Sequence, residues 1–237
     1  MHSFFVNKRI ENTFLIEGKD LHHIKNVIKL KEKEKIYCIY LNEKYKCEIQ
    51  KINNNNCVAE IKQKIDIINN DIKINLFIGL IREQKFNLVL QKATELGVFQ
   101  IIPVEFKRNV VIIDSKKIKT KIKRWQTICE EGAKQTKRLS IPKVENIVKD
   151  LNDLSKYDAD IKLVAWENDN NSNLLKKYLK TNFKIINIVI GPEGGFEQEE
   201  IKLLNEMNYK TVKFGNNILR SETASIFLIS AIQYEKS

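Results

Sequence analysis

From residue 72 onward the chain repeats one pattern: a short apolar run, a turn, then a segment whose apolar residues recur every three or four positions. The runs at 72–81, 99–104, 161–165, 185–190 and 211–214 read as strands, and those at 86–96, 174–179, 197–204 and 221–234 as helices. Strands separated by helices must cross over rather than pair as hairpins. The pattern therefore predicts an α/β domain with a mostly parallel sheet covered on both faces. Two of the helices carry further detail. The segment at 86–96 puts Phe86, Val89, Leu90 and Ala93 on one side and ends at Gly97, which suits a left-handed cap. The last is apolar almost all the way round, through Ala224, Ile226, Phe227, Leu228, Ile229, Ala231 and Ile232, which places it in the core or in a subunit interface.

The first 70 residues differ in period. Apolar residues alternate at Tyr45, Cys47, Ile49 and again at Cys57, Ala59, Ile61, after a strand-like run at 36–41, with Asn-rich turns between. Three short strands predict a meander within a small β-barrel. A short helix precedes them at 20–28, with Asp20 as its expected N-cap. The polar Asn69-Asn70-Asp71 is the expected linker, dividing the chain into domains 1–70 and 71–237.

In a sheet of this kind ligands bind beyond the carboxyl ends of the strands. Three loops qualify: Trp166-Glu167, then Gly191 to Phe196 after Ile190, opening with the turn Gly191-Pro192-Glu193-Gly194-Gly195, and then Gly215 to Arg220 after Phe214, through Ile218 and Leu219. The second is the most distinctive. The chain holds only 8 Gly and 3 Pro, and this turn takes three of the former and one of the latter. Such crowding permits positive φ and close approach of a ligand to the main chain. In the third loop Arg220 and Glu222 flank Ser221, the expected N-cap of the last helix. A cation at the positive end of a helix has a functional role or an ion-pair partner.

Charge narrows the partner. Of the net +11, residues 107–143 hold twelve Lys or Arg against three acids. A helix within this segment, with Ser115 as expected N-cap and Ile118, Ile122, Trp125 and Cys129 inside, turns its lysines outward. A basic surface confined to one segment predicts a polyanion partner.

Other classes are disfavoured. The four cysteines have no C-x-x-C spacing and read as buried thiols, and three histidines, all before residue 24, make no convincing metal site. The 191–195 turn is neither G-x-G-x-x-G nor a P-loop, and no Ser, His and Asp set supports a hydrolase. No 18-residue apolar run or secretory signature occurs, so a soluble, cytoplasmic protein is expected.

Read in order, Gln91-Lys92-Ala93-Thr94-Glu95-Leu96-Gly97, the 191–195 turn and Leu219-Arg220 with Glu222-Thr223-Ala224 form a specific set. Weaker matches accompany them: Phe4-Phe5-Val6, His23 with Val27-Ile28-Lys29, Ile102-Pro103, Arg108, Arg124-Trp125 and Gln135 with Arg138. Over nearly its whole length the chain resembles the 16S ribosomal RNA uridine-N3 methyltransferases of the RsmE type, in the SPOUT superfamily. The resemblance implies a PUA-like N-terminal barrel, a C-terminal domain with a trefoil knot, a homodimer, and S-adenosylmethionine bound by the three loops. The implied cofactor residues are Trp166, Glu167, Ile190, Gly191, Pro192, Glu193, Gly194, Gly195, Phe214, Gly215, Ile218, Leu219, Arg220, Thr223 and Ala224. Either Glu193 or Glu222 would lie within the field of the sulfonium. Arg220 is the expected stabiliser of a uridine anion, and Glu222 the candidate base. Lys29, Arg108, Arg124, Lys137 and Arg138 would hold phosphates of the RNA, with Arg9 and His23 in supporting roles. The pattern departs from the family at Lys29, where Arg is usual, and in the loop Ile81-Arg82-Glu83-Gln84-Lys85. A non-catalytic ribosome-assembly protein, or a SPOUT enzyme acting on a ribose hydroxyl or a transfer RNA base, would share parts of the pattern.

Overall fold

The computed structural model describes residues 1–66, 72–136, 138–166, 173–214 and 217–236. The chain divides into two compact units, one comprising Met1–Asn69 with Ala133–Ser140 and the other Asn70–Gly132 with Ile141–Ser237.

The first unit is a six-stranded sheet. Its strands are β1 (Ser3–Phe5), β2 (Lys8–Ile10), β3 (Thr13–Ile16), β4 (Lys35–Tyr40), β5 (Glu43–Ile52) and β6 (Cys57–Ile65). They lie in the order β1-β4-β5-β6-β3-β2, with only the β1–β4 pair parallel. The meander β4-β5-β6 is the one the alternation predicts. The three strands ahead of it are too short to carry a period and were not anticipated. Phe14, Ile36, Cys38, Cys47, Ile49, Cys57 and Ala59 are fully buried on the inner face. The predicted short helix is present as α1 (Gly18–His22), continued by a π-helical turn over His23–Val27. Its cap is Glu17 rather than Asp20. Asp20 lies inside the first turn, where its Oδ1 takes the Lys134 ammonium at 2.6 Å. The basic segment thus contributes one of its lysines to holding the first unit together.

Burial also settles the state of the thiols. All four cysteines are free and buried. Loss of solvation pushes the Cys57 thiol up to about 11. The hydrogen bond with neighbouring Cys47, and then burial, raise Cys38 further. A thiol whose folded pKa is raised favours folding fully below its ordinary value, 9.0, and that contribution disappears as pH rises towards 11. Native protein at pH 8 should therefore leave Cys38, Cys47 and Cys57 unmodified by iodoacetamide, whereas denaturant should expose all three, as peptide mass spectrometry would read. Labelling of any of them in the native state would contradict this packing.

The second unit is built on seven strands: β7 (Lys73–Gly79), β8 (Gln100–Val104), β9 (Lys143–Val144), β10 (Ile161–Ala165), β11 (Asn173–Leu174), β12 (Ile185–Ile190) and β13 (Lys210–Lys213). Their order is β11-β13-β10-β12-β7-β8-β9, and every pairing is parallel. The helices are α2 (Glu83–Glu95), α3 (Ile118–Gln135), α4 (Leu175–Leu179), α5 (Gln198–Glu206) and α6 (Ser221–Lys236). On β7 and β12 alternate residues serve opposite faces. Ile74, Leu76, Ile78, Ile186, Ile188 and Ile190 join one core, while Phe77 and Val189 join the other. The first core takes in α2 and α6; the second takes in Ile201 and Leu204 of α5 together with Tyr209. Both faces are covered, as the strand composition requires. A polar pair in this interior is Asn75 against Asn187, register partners on β7 and β12. The Asn75 amide donates to Asn187 at 2.7 Å, and Asn187 donates to the Tyr157 carbonyl at 2.8 Å.

Several local expectations change. Ser115 does not cap the basic helix: Asp114 accepts from the Lys116 N–H, a 3₁₀ turn follows, and α3 begins at Ile118. Gly97 does end α2 with a positive φ of 92°. Within a single chain, helix α6 is buried on one side only. Ala224, Ser225, Leu228, Ile229 and Ile232 enter the core, while Phe227 on the opposite side stays 45% exposed.

Candidate active site

The carboxyl ends of β10, β12 and β13 lie side by side, and the segments that follow them enclose a cavity of about 320 Å³. Its walls include Trp166 after β10, Ile190, Gly191, Pro192, Glu193 and Gly195 from β12 and its turn, and Phe214, Ile218, Leu219 and Arg220 after β13. Ala224 closes it from α6.

Local packing explains the shape of the glycine-rich turn. The Gly195 N–H donates to the Pro192 carbonyl at 3.0 Å, and Gly195 itself has φ +74°. The other two glycines are needed for close contact within the protein. A Cβ on Gly191 would lie 2.9 Å from the Phe196 ring, and one on Gly194 would lie 2.6 Å from the Arg108 carbonyl oxygen. Gly194 accordingly faces the 107–109 segment rather than the cavity. That segment is clamped to the start of α5: Arg108 pairs with Glu197 at 2.7 Å, and Glu200 accepts from the Lys107 N–H at 2.7 Å. The Arg108 guanidinium holds the Glu197 carboxyl below the usual carboxylate range.

Ser221 is the first residue of α6 and not its cap. Arg220 occupies the cap position, since its carbonyl accepts from the Ala224 N–H at 2.8 Å, while the Ser221 hydroxyl donates to the Gly191 carbonyl at 2.7 Å. That bond ties the third loop to the second. The Arg220 side chain is exposed, faces the cavity, and makes no ion pair among the described residues. The structural ion pair that would have explained it is absent there.

The most polar wall comes from a fourth loop. Lys85, just inside α2, lines the cavity and donates to Glu193 Oε1 at 2.7 Å; Glu222 Oε1 lies 3.8 Å from the same ammonium. The Oε2 atoms of both carboxylates are buried without a hydrogen-bond partner. Glu222 does not line the cavity; Thr223 is exposed on α6 and does not line it either. Glu167 and Gly215, two further expected cofactor residues, lie outside the described residues.

Lys85 and Lys213 also line the cavity and were not anticipated; Phe196 and Asn217 line it from within the second and third loops, and Ser221 lines it from the start of α6. Lys85 was findable: it follows the carboxyl end of β7, and the rule that named three loops names this one once β7 is known to neighbour β12.

The expected RNA contacts fall in both units. In the first, Arg9 stacks over Phe14 and Tyr45 at 5.9 and 5.7 Å, His23 is exposed on the π turn, and Lys29 is exposed with φ +50°. Arg138 is half-buried there, and Lys137 lies outside the described residues. In the second unit Arg108 and Arg124 are about half exposed, with 50% and 57% of their side-chain surface open, and each is paired, Arg124 with Glu83. Among the described residues no cluster of His, Cys, Asp or Glu could hold a metal, and no helix is long and apolar enough to cross a membrane.

Comparison with known proteins matches two segments of the chain. Residues 69–233 match a family model described as an RNA methyltransferase domain, and residues 16–62 match an RNA methyltransferase PUA domain. Ribosomal RNA small subunit methyltransferase E of Mesomycoplasma hyopneumoniae is 37% identical over 97% of the chain and 98% of its own length. The protein of the same name from Bacillus subtilis is 33% identical, covering 94% and 90%. A crystal structure of the corresponding Neisseria gonorrhoeae protein, bound to S-adenosyl methionine, superposes with a TM-score of 0.87 at 25% identity, covering 99% of this chain and 97% of that one.

Proposed function

The chain belongs to the ribosomal RNA small subunit methyltransferase E family, and from that premise we propose that it methylates N3 of a specific uridine in 16S ribosomal RNA, using S-adenosylmethionine. In this reading residues 1–70 are a PUA-like RNA-binding domain and residues 71–237 the methyltransferase. The observation that carries it is the cavity itself. Three loops at the carboxyl edge of one parallel sheet converge on a space of about 320 Å³, with Arg220, which makes no ion pair among the described residues, on one wall, and on another Glu193 and Lys85, whose ammonium also pairs with Glu222.

The residues present fit the cofactor. Apolar Ile190, Leu219 and Ala224 line the enclosed end, main-chain groups of the 191–195 turn offer hydrogen bonds, and the partnerless oxygens of Glu193 and Glu222 favour a nearby positive charge. When bound, S-adenosylmethionine supplies a methyl group on a sulfonium. The chain's part is alignment and charge. N3 lies on the Watson–Crick edge, so the target uridine must be unpaired or drawn out of its stack before it enters. Arg220 then donates to a uracil carbonyl oxygen, stabilising the anion that forms as the N3 proton passes to water. Glu222 acts through its charge rather than as the proton acceptor, because one of its oxygens is closed off and the other faces Lys85. Lys29, Arg108, Arg124, Lys137 and Arg138, assisted by Arg9 and His23, hold the RNA by its phosphates.

The working form in this reading is a cytoplasmic homodimer with the C-terminal chain threaded as a trefoil knot. The exposed Phe227, against which Phe214 packs at 5.4 Å, supports the dimer. The interleaved order β13-β10-β12-β7, with Ser221 tied back to Gly191, supports the threading.

The decisive experiment is primer extension across 16S RNA from a strain lacking the protein, before and after treatment with protein and cofactor. A methyl group on N3 should appear as a new stop near the decoding region, and its absence would refute the assignment.

A further inference from the structure

We propose that Lys85, Glu193 and Glu222 form one charge cluster that discriminates the cationic cofactor from its neutral thioether product, S-adenosylhomocysteine. This rests on the cofactor reading above and adds a role for a lysine at the end of the 81–85 loop, where the chain departs from the family pattern. The two compounds share every charged group except the sulfonium, so only a residue that senses that charge can tell them apart electrostatically.

The cluster is assembled from three separate parts of the chain: the start of α2, the 191–195 turn and the first turn of α6. Two carboxylates face one ammonium, at 2.7 and 3.8 Å, which leaves the group with one net negative charge. All three side chains are largely withdrawn from water, with 29%, 18% and 13% of their surfaces exposed. Screening is therefore weaker than at an open surface. The Oε2 atom of each carboxylate is shut off from solvent and unpartnered. Closed in this way, those oxygens cannot exchange protons readily with a bound ligand, but their charge still acts through space. Lys85 has two effects of opposite sign. Its ammonium offsets the repulsion between the two carboxylates that face it. It also sets the total at one negative charge rather than two.

Once the methyl group has left, the positive charge that the cluster favours has gone with it. The same device thus holds the donor and loosens the spent product.

The test is calorimetric titration of S-adenosylmethionine and S-adenosylhomocysteine, read as the ratio of their Kd values so that effects on the shared parts cancel. Glu222→Gln and Glu193→Gln should each reduce the preference for the sulfonium about tenfold. Lys85→Gln, which keeps a hydrogen-bond donor and removes the positive charge, should increase it; Lys85→Arg should leave it near the wild-type value. A purely structural role would weaken both compounds together and leave the ratio unchanged in every variant. An unchanged ratio in both glutamine-for-glutamate variants, or a ratio that moves the same way in those and in Lys85→Gln, overturns the proposal.

Should the variants fail to fold, the wild-type protein decides alone. A cofactor analogue carrying a protonated amine in place of the sulfonium should bind like S-adenosylmethionine. If instead the amine analogue, the sulfonium and the thioether bind equally, the cluster does not discriminate. Failure of S-adenosylmethionine to bind the wild-type protein at all would strike the cofactor reading itself, a distinct result.

Discussion

Replacing Arg220 with Ala should lower the rate of methylation by two to three orders of magnitude while leaving cofactor affinity within about threefold, the signature of a lost transition-state contact. The size follows from what a single preorganised donor contributes when it meets a developing negative charge. The selectivity follows from position. Arg220 caps α6 through its carbonyl, so the backbone bond to the Ala224 N–H at 2.8 Å survives truncation. Its side chain is exposed and lies at the positive end of the helix, where a cation costs about 0.3–1 kcal/mol. Nothing among the described ion pairs compensates. Thermal stability should therefore stay level or rise slightly in Arg220→Ala. Single-turnover assays alongside calorimetry separate the two effects: a variant that binds cofactor and methylates at the wild-type rate would remove Arg220 from the mechanism.

The second large effect is expected at a glycine outside every motif. Gly79 ends β7, and a Cβ there would lie 2.5 Å from the Pro192 nitrogen and 2.9 Å from its Cα. Both contacts are to main chain, which no rotamer change can relieve. Strand β7 is held by β12 on one side and β8 on the other, so Pro192 and its turn must give way. Gly79→Ala should weaken S-adenosylmethionine binding at least tenfold. Overpacking of about 1–3 kcal/mol should lower the melting temperature by several degrees for a protein of this size. Cofactor binding at wild-type affinity in a folded Gly79→Ala protein would mean that the turn is not held against β7 as described.

Five strands of the second unit were readable because each is long and apolar enough to declare a period; β9 and β11, of two residues each, were not. The run Ile185-Ile186-Asn187-Ile188-Val189-Ile190 became β12 with those bounds, and its interruption by Asn187 is answered by Asn75 across the ladder. Caps were read less well. Asp20, Ser115 and Ser221 each have a side chain suited to capping, but a cap depends on where the preceding backbone turns, and Glu17, Asp114 and Arg220 hold those positions instead. Strands β1 to β3 were missed because three or four residues cannot display alternation. Helix α6 appeared uniformly apolar because composition does not reveal which neighbour a face meets.

The candidate site divides along the same line. Local sequence determined the glycine-rich turn, the Leu219-Arg220 segment and their place at the ends of parallel strands, because strand, turn and helix each follow from neighbouring residues. It did not determine what those loops touch. Lys85 is 108 positions from Glu193 in the chain and donates to it at 2.7 Å because β7 and β12 pair in the sheet. Gly194 owes its identity to the Arg108 main chain, and Gly79 to Pro192. Contacts of this kind depend on which strands become neighbours, and strand order is decided by how both faces of the whole sheet are covered. For this protein the sequence by itself determined the kind of loops at the site, and only the tertiary structure decided which charges face one another across it.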